Sequence, residues 1–159
     1  MVTDLPMMSN ERSDYSDIPV SYKTYLNDNE QIKIIDNTLT KLKKDGVPFN
    51  DISILSQKRM GKSIIRKSKY FNNIYNMNLD NSVTMPDKHM LYSTISGYKG
   101  LENNFVLLIE IDFSVHNEFI SMAYVGMSRC RIGLYWFLPT LDNKKLKKIQ
   151  AQNFGKNER

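Results

Sequence analysis

The chain of 159 residues has a formal net charge of +5, 41% hydrophobic residues, 25% charged residues and a single cysteine. This length fits one domain with its own core, and one cysteine excludes an internal disulfide framework and any multi-cysteine zinc site. No apolar run approaches the roughly 18–20 residues of a membrane span and the N-terminus does not resemble a signal peptide, so we expect a cytoplasmic protein.

The first elements in chain order are an arm, a strand and a helix. Residues 1–17 lack periodicity and predict a linker or flexible arm in front of a domain over residues 18–155. Residues 20–26 alternate as a strand does. Asp28 begins a capping-box pattern, and apolar residues at helical spacing then predict a helix over residues 28–44, which an Asp-Gly pair and a proline end.

The middle of the chain predicts a short strand over residues 52–56 followed by a basic helix over residues 57–69, which hold six basic residues and no acidic one. The run Ser56-Gln-Lys-Arg-Met-Gly-Lys-Ser63 approaches a Walker A loop, and a P-loop kinase-like enzyme is one interpretation of it. That motif needs glycine where Ser56 stands, so the start of a basic helix fits these residues better. Residues 70–89 show no pattern that defines an element.

The second half of the chain alternates strands with helices. We predict strands over residues 91–95, 105–111 and 132–138, and helices over residues 117–127 and 141–152. The strand over residues 105–111 is apolar on both faces, which is typical of a central parallel strand. The alternation predicts an α/β fold, a three-layer arrangement in which helices cover both faces of a parallel sheet.

Charge is unevenly distributed along the chain. Residues 1–36 hold three Lys/Arg and seven Asp/Glu, a balance of −4, and residues 37–159 have a balance of +9. A basic body is typical of proteins that bind an anionic partner such as nucleic acid or a nucleotide. The alternative is a set of solvated lysines in a composition rich in Lys, Asn and Ile.

A first polar loop, Thr94-Ile-Ser-Gly-Tyr-Lys-Gly-Leu-Glu102, separates two predicted strands. Its two glycines flank Lys99, which suits a tight loop whose backbone N–H groups approach an anion. Glu102 would suit a ribose hydroxyl or a water molecule. In open α/β sheets such loops line the crevice in which ligands bind. The alternative is a glycine turn with a solvated lysine and glutamate.

A second polar loop, Tyr124-Val-Gly-Met-Ser-Arg-Cys-Arg131, precedes the strand over residues 132–138. Arg129 can act on a transferring phosphoryl group as an arginine finger, or it can stabilise the C-terminal end of a helix. His89 and His116 have no ligand-type neighbours at metal-binding spacing, so we predict no metal site.

In their order along the chain, the two loops resemble motifs V and VI of the second motor domain of UvrD/Rep-type superfamily 1 DNA helicases. These motifs are usually written T-x-H-x-x-K-G-L-E and Y-V-A-x-[ST]-R-A. The strand over residues 52–56 and the pair Lys58-Arg59 fall where the motif IV region would be. The resemblance covers roughly residues 20–138. Ser96 replaces the usual histidine of motif V, and Gly126 and Cys130 replace alanines, a change expected to be sterically mild.

The resemblance implies a RecA-like, P-loop NTPase-type domain without its own P-loop. It implies ATP with Mg²⁺, bound mainly by an N-terminal RecA-like domain that carries Walker A and B, and single-stranded DNA as a second partner. Arg129 would be catalytic. The residues implied for the nucleotide are Gly100, Glu102 and Arg59, and those implied for DNA are Thr94, Ser96, Tyr98 and Lys99. On its own the chain is expected to be inactive. The alternative is a catalytically inactive nucleic-acid-binding or regulatory module of the same fold.

Overall fold

The computed structural model describes residues 19–77, 88–98, 100–111, 124–126 and 128–140. In this part of the chain, six parallel strands form one sheet. The strands are β1 (Val20–Tyr25), β2 (Ile52–Ser56), β3 (Ile74–Asn76), β4 (Met90–Thr94), β5 (Asn103–Ile109) and β6 (Cys130–Pro139). Their order across the sheet is β1-β6-β5-β2-β4-β3. The predicted α/β fold with a parallel sheet is therefore confirmed.

The centre of the sheet is formed by β2 and β5, which pair from Ile52 opposite Phe105 to Ser56 opposite Ile109. Every residue of β2 is buried, as are the last four residues of β5. Because successive side chains of a strand point to opposite faces, such strands supply apolar surface to both sides of the sheet. Two separate hydrophobic clusters result, one on each face.

The first face is covered by helix α1 (Asp28–Lys44), which buries Ile35, Leu39 and Leu42 against the sheet. The helix spans the predicted residues, but the predicted cap is wrong by one position. Asn27 is the N-cap, because its Oδ1 atom accepts a hydrogen bond from the Glu30 backbone N–H at 2.9 Å.

The opposite face is covered by a 3₁₀ turn over Ser96–Tyr98 and by a helical segment at residues 124–126. Gly126 lies directly against β5, since a Cβ atom at this position would be 2.4 Å from Cδ1 of Leu108. The expectation that glycine in place of alanine is sterically mild is therefore wrong. The remainder of the predicted 117–127 helix and the predicted 141–152 helix lie outside the described residues.

The predicted helix over residues 57–69 is wrong. This segment forms 3₁₀ turns over Met60–Lys62 and Ile64–Lys67. The hydroxyl of Ser63 accepts a hydrogen bond from the backbone N–H of Ile65 at 3.1 Å, and Ser68 does the same for Tyr70 at 3.0 Å. These serines take backbone donors that a continuous helix would use, so the chain folds as short turns.

No helix of the described residues is long and apolar enough to cross a lipid bilayer.

Candidate functional site

The first polar loop runs from one end of the strands to the other. We call the end of the sheet where the strands stop the carboxyl edge, and the end where they start the amino edge. Strand β4 ends at Thr94, level with Ser56 at the carboxyl end of β2. Strand β5 begins at Asn103, which pairs with Cys130 at the start of β6. Residues 95–102 therefore return from the carboxyl edge to the amino edge, and Thr94 and Glu102 lie at opposite ends of the sheet.

At the amino edge the two polar loops meet. Nη2 of Arg131 lies 3.1 Å from Oε1 of Glu102, and both side chains are about half exposed. The two loops therefore lie side by side at the amino ends of β5 and β6. The loops meet at the amino edge, because each loop ends where the strand that follows it begins. Ligands of α/β sheets usually bind at the opposite, carboxyl edge. Gly100, beside this ion pair, has φ +78°, a conformation that favours glycine.

Arg129 is half-buried at the same edge, and it is Arg131 rather than Arg129 that contacts Glu102. Within the described ranges, no carboxylate lies within 4.0 Å of the Arg129 guanidinium. Its Nε atom is buried and has no hydrogen-bond partner there. Such a donor is costly to bury unless an acceptor reaches it.

Tyr98 was predicted to contact DNA, but the structure places its side chain in the core. The residue is 1% exposed, and its hydroxyl lies 2.9 Å from Oγ of Ser53. Burial raises the pKa of Tyr98, while the hydrogen bond with Ser53 and the positive charges of Arg131 and Arg129 lower it in part. Tyr98 therefore packs inside the domain near the amino end of β2, and its ring is not available to a ligand.

Cys130, at the start of β6, is also a core residue. It is 3% exposed, and burial raises the pKa of its thiol to about 11. A thiol that stays protonated and buried is a poor nucleophile. Cys130 therefore adds no chemistry to this edge.

At the carboxyl edge lies a groove of about 1330 Å³, here called the carboxyl-edge groove. Its walls include Lys58, Arg59, Lys62, Thr94, Ser96 and Gly97. Oγ1 of Thr94 accepts a hydrogen bond from the backbone N–H of Gly97 at 3.1 Å, which fixes the start of the loop. Thr94 and Ser96, which the resemblance assigns to DNA, thus both line this groove. Lys99 lies outside the described residues.

Arg59 was predicted to bind the nucleotide beside Gly100 and Glu102, and the structure separates it from them. Arg59 follows the carboxyl end of β2 and lines the carboxyl-edge groove, whereas Glu102 precedes the amino end of β5. Lys58 and Lys62 share the groove with it and were not assigned to a site from sequence. The signal for them was the run of six basic residues over 57–69.

Glu110 anchors the loop that carries these three cations. Its side chain is 5% exposed and accepts hydrogen bonds from the hydroxyl groups of Ser56, at 3.0 Å, and Ser63. It also accepts from the backbone N–H of Ile64 at 3.3 Å and lies 3.5 Å from Nζ of Lys58. Its φ of +57° is unusual for a residue other than glycine and is typical of strained positions near functional sites.

The P-loop interpretation of Ser56 to Ser63 finds no support in this geometry. A Walker A loop leads into a helix whose N-terminus faces phosphate, whereas here a 3₁₀ turn follows. The hydroxyl of Ser63, which would bind Mg²⁺ in such a loop, donates to Glu110. Nor does the described part of the chain contain a group of three His, Cys, Asp or Glu side chains that could hold a metal ion.

The chain resembles solved structures in its fold and matches no known protein family by sequence. No protein-family model matches the chain. No curated protein matches it either. The C-terminal domain of a possible DNA helicase from Lactobacillus plantarum WCFS1 is similar in structure, with a TM-score of 0.62, 13% sequence identity, and coverage of 84% of this chain and 79% of that one. The chain has the fold of that helicase domain. At this identity the likeness shows the fold alone, so the UvrD/Rep-type assignment stays a prediction.

Proposed function

We propose that this chain is the second motor domain of an ATP-dependent superfamily 1 DNA helicase. In this proposal the carboxyl edge binds single-stranded DNA, and the amino edge completes an ATP site shared with an N-terminal RecA-like domain. Two features support it: the fold shared with a possible DNA helicase, and the motif-like loops that lie at these two edges.

The observation that carries the proposal is the carboxyl-edge groove. Arg59 and Lys62 line the groove with two cations that have no carboxylate within 4.0 Å among the described residues, and Lys58 adds a third cation that is paired with Glu110. Thr94, the exposed Ser96 and Gly97 also line it. Cationic side chains bind the phosphates of a nucleic acid, and exposed hydroxyl and backbone groups position it.

The amino edge supports the nucleotide half of the proposal. ATP with Mg²⁺ would be held mainly by the partner domain and supplies the phosphoryl group that is transferred to water. The buried Nε of Arg129 lacks an acceptor in the described structure, and no carboxylate there neutralises its charge. A half-buried guanidinium in this state suits a phosphate oxygen, whose developing negative charge it would stabilise. Gly100 and the exposed Glu102 would lie beside the sugar.

A second candidate function is a nucleic-acid-binding or regulatory module of the same fold that has lost turnover. The ion pair between Glu102 and Arg131 favours it, because this carboxylate already has a partner and is less available to a ribose. The two candidates share the DNA groove. They differ in whether a partner motor domain gains ATP turnover when this chain is joined to it.

The DNA half is tested by fluorescence anisotropy with a labelled single-stranded oligonucleotide and the purified chain. We expect weak binding whose affinity falls with salt, because phosphate contacts release counterions. Removing one such contact in Arg59→Ala or Lys62→Ala should reduce the slope of log K against log salt by about 0.7. Lys33→Ala, an equal loss of charge at an exposed position on α1, is the control and should leave the slope unchanged.

Two results would contradict this assignment of the groove. One is an affinity that stays flat between low and moderate salt. The other is a preference for duplex over single-stranded DNA, since the proposed contacts address the backbone of one extended strand.

A further inference from the structure

A second cavity, of about 510 Å³, lies beside the carboxyl-edge groove between the first turn of α1 and the loop after β2. We call it the side pocket; its walls include Tyr25, Asp28, Gln31, Lys62, Lys67 and Glu110. Its volume is within the roughly 300–1,000 Å³ of small-molecule sites. The two cavities share Gln57, Lys58 and Lys62, so they are adjacent to each other.

Gln31 gives the side pocket an unused hydrogen-bond donor. The residue is 2% exposed, and its Nε2 atom has no hydrogen-bond partner within the described ranges. Buried amide groups are nearly always hydrogen-bonded, because a lost bond to water must be replaced. Among the described residues, the wall of the side pocket therefore holds a donor without an acceptor, which suits a ligand that carries one.

The charges around the pocket define what kind of ligand it takes. Lys58 lies 3.5 Å from Glu110, which offsets its charge. Lys62 and Lys67, by contrast, have no carboxylate within 4.0 Å among the residues described. Two lining cations without an internal partner favour an anionic group such as a phosphate.

Tyr25 and Asp28 add a donor and an acceptor on the side of α1. Burial, together with the charges of Glu110 and Asp28, raises the pKa of Tyr25 to about 12, so its hydroxyl stays protonated at neutral pH. The side pocket thus offers cations for a phosphate, and the polar groups Gln31, Tyr25 and Asp28 for a sugar or base.

We propose that the side pocket binds one phosphorylated nucleoside unit. Its phosphate contacts Lys62 and Lys67, and a carbonyl, ring-nitrogen or hydroxyl acceptor of the nucleoside accepts a hydrogen bond from Gln31. A free mononucleotide and a single nucleotide of a bound strand present this same chemistry. The strand form rests on the proposed function and extends the DNA path from the groove into the pocket, whereas the free form does not depend on it.

The test compares two probes, deoxyadenosine 5′-monophosphate by calorimetry and a labelled oligodeoxyadenylate by anisotropy, on the full chain. Gln31→Leu and Lys67→Ala alter the side pocket but not the groove. Each should weaken binding of the occupying probe by roughly three- to tenfold, which is the usual effect of one hydrogen bond. Lys33→Ala is the matched control. Gln31→Leu should also keep or raise the melting temperature, since it removes a buried donor that lacks an acceptor.

The two probes distinguish the sources of the ligand. Mononucleotide binding that both pocket variants weaken assigns the site to a free ligand. Oligonucleotide binding weakened by both variants, without mononucleotide binding, assigns it to a unit of the strand. If both variants bind both probes as tightly as Lys33→Ala does, the proposal is overturned. Arg59→Ala reports on the groove alone, so a failure of the proposed function is seen separately.

Discussion

At the scale of single residues, Gly126 determines how closely the second polar loop approaches the sheet. A Cβ atom there would lie 2.4 Å from Cδ1 of Leu108, a fully buried residue of β5. We therefore expect Gly126→Ala to lower the free energy of unfolding by about 1–3 kcal/mol, because the added methyl group must displace a packed core side chain. Urea denaturation followed by circular dichroism measures this change.

Gly61→Ala is the control for Gly126→Ala. A Cβ atom at Gly61 meets nothing within 4 Å, and Gly61 has no positive φ, so this variant should unfold at nearly the wild-type urea concentration. Equal stability of both alanine variants would show that Leu108 rotates away without cost.

The sequence predicted which residues lie in the two polar loops better than it predicted what their side chains contact. The Tyr-Lys-Gly pattern placed Tyr98 in a loop, yet its ring packs in a core cluster and its hydroxyl contacts Ser53, which lies 45 residues earlier in the chain. Arg131 is the last residue of the second polar loop, and the sequence predicted no role for it. Its contact with Glu102 exists because β5 and β6 are neighbours, which local sequence does not specify.

At the scale of elements, Glu110 organises the loop between β2 and the 3₁₀ turns. It joins Ser56, Ser63 and Lys58 to the end of β5, over separations of 47 and 54 residues for the two serines. Glu110→Gln should lower the free energy of unfolding by about 1.5–3 kcal/mol, the usual contribution of hydrogen bonds to a charged group. It should also weaken DNA binding, because the loop holds Lys58, Arg59 and Lys62 in the groove.

Glu102→Gln is the matched control for Glu110→Gln. Its ion pair with Arg131 is about half exposed on both sides, so its loss should change the free energy of unfolding by at most about 1 kcal/mol. Thermal unfolding of the two variants measures the difference. Equal stability losses would contradict the anchoring role of Glu110.

Element types followed from periodicity wherever the pattern was long or strongly apolar. Helix α1 and strand β2 have the predicted bounds, and β5 begins and ends two residues earlier than predicted, at 103–109 instead of 105–111. The basic segment after β2 was mispredicted, since its serines capture backbone donors locally. The sequence did not predict strand β3, which has three residues, is the outermost strand of the sheet and pairs only with β4.

At the scale of the whole molecule, the sheet separates the groups that the sequence places side by side. Thr94 and Glu102 are eight positions apart, yet β5 alone spans seven residues, or about 23 Å, between the two edges. Sequence spacing could not show this, because the direction in which a loop crosses the sheet depends on the strand that follows it. In the proposed function, this separation places the DNA site and the nucleotide site on different surfaces of the domain.

In a helicase that carries both motor domains, Arg129 is the proposed arginine finger. Arg129→Ala should lower kcat by roughly 10³–10⁵, as for arginine fingers generally, while nucleotide affinity falls only modestly. Arg129→Lys should restore little, because an ammonium group lacks the planar fork of a guanidinium. ATP turnover and nucleotide affinity, measured separately, test both expectations.

The stability of the isolated chain tests whether Arg129 has a structural role. No carboxylate in the described structure lies within 4.0 Å of its guanidinium, so truncation leaves no buried acid without its partner. We therefore expect Arg129→Ala to change the free energy of unfolding by less than about 1 kcal/mol, well below the roughly 3–5 kcal/mol of a broken buried ion pair. A large loss of stability here, with normal turnover in the complete helicase, would make Arg129 a structural residue. The main support for a nucleotide site at the amino edge would then be removed.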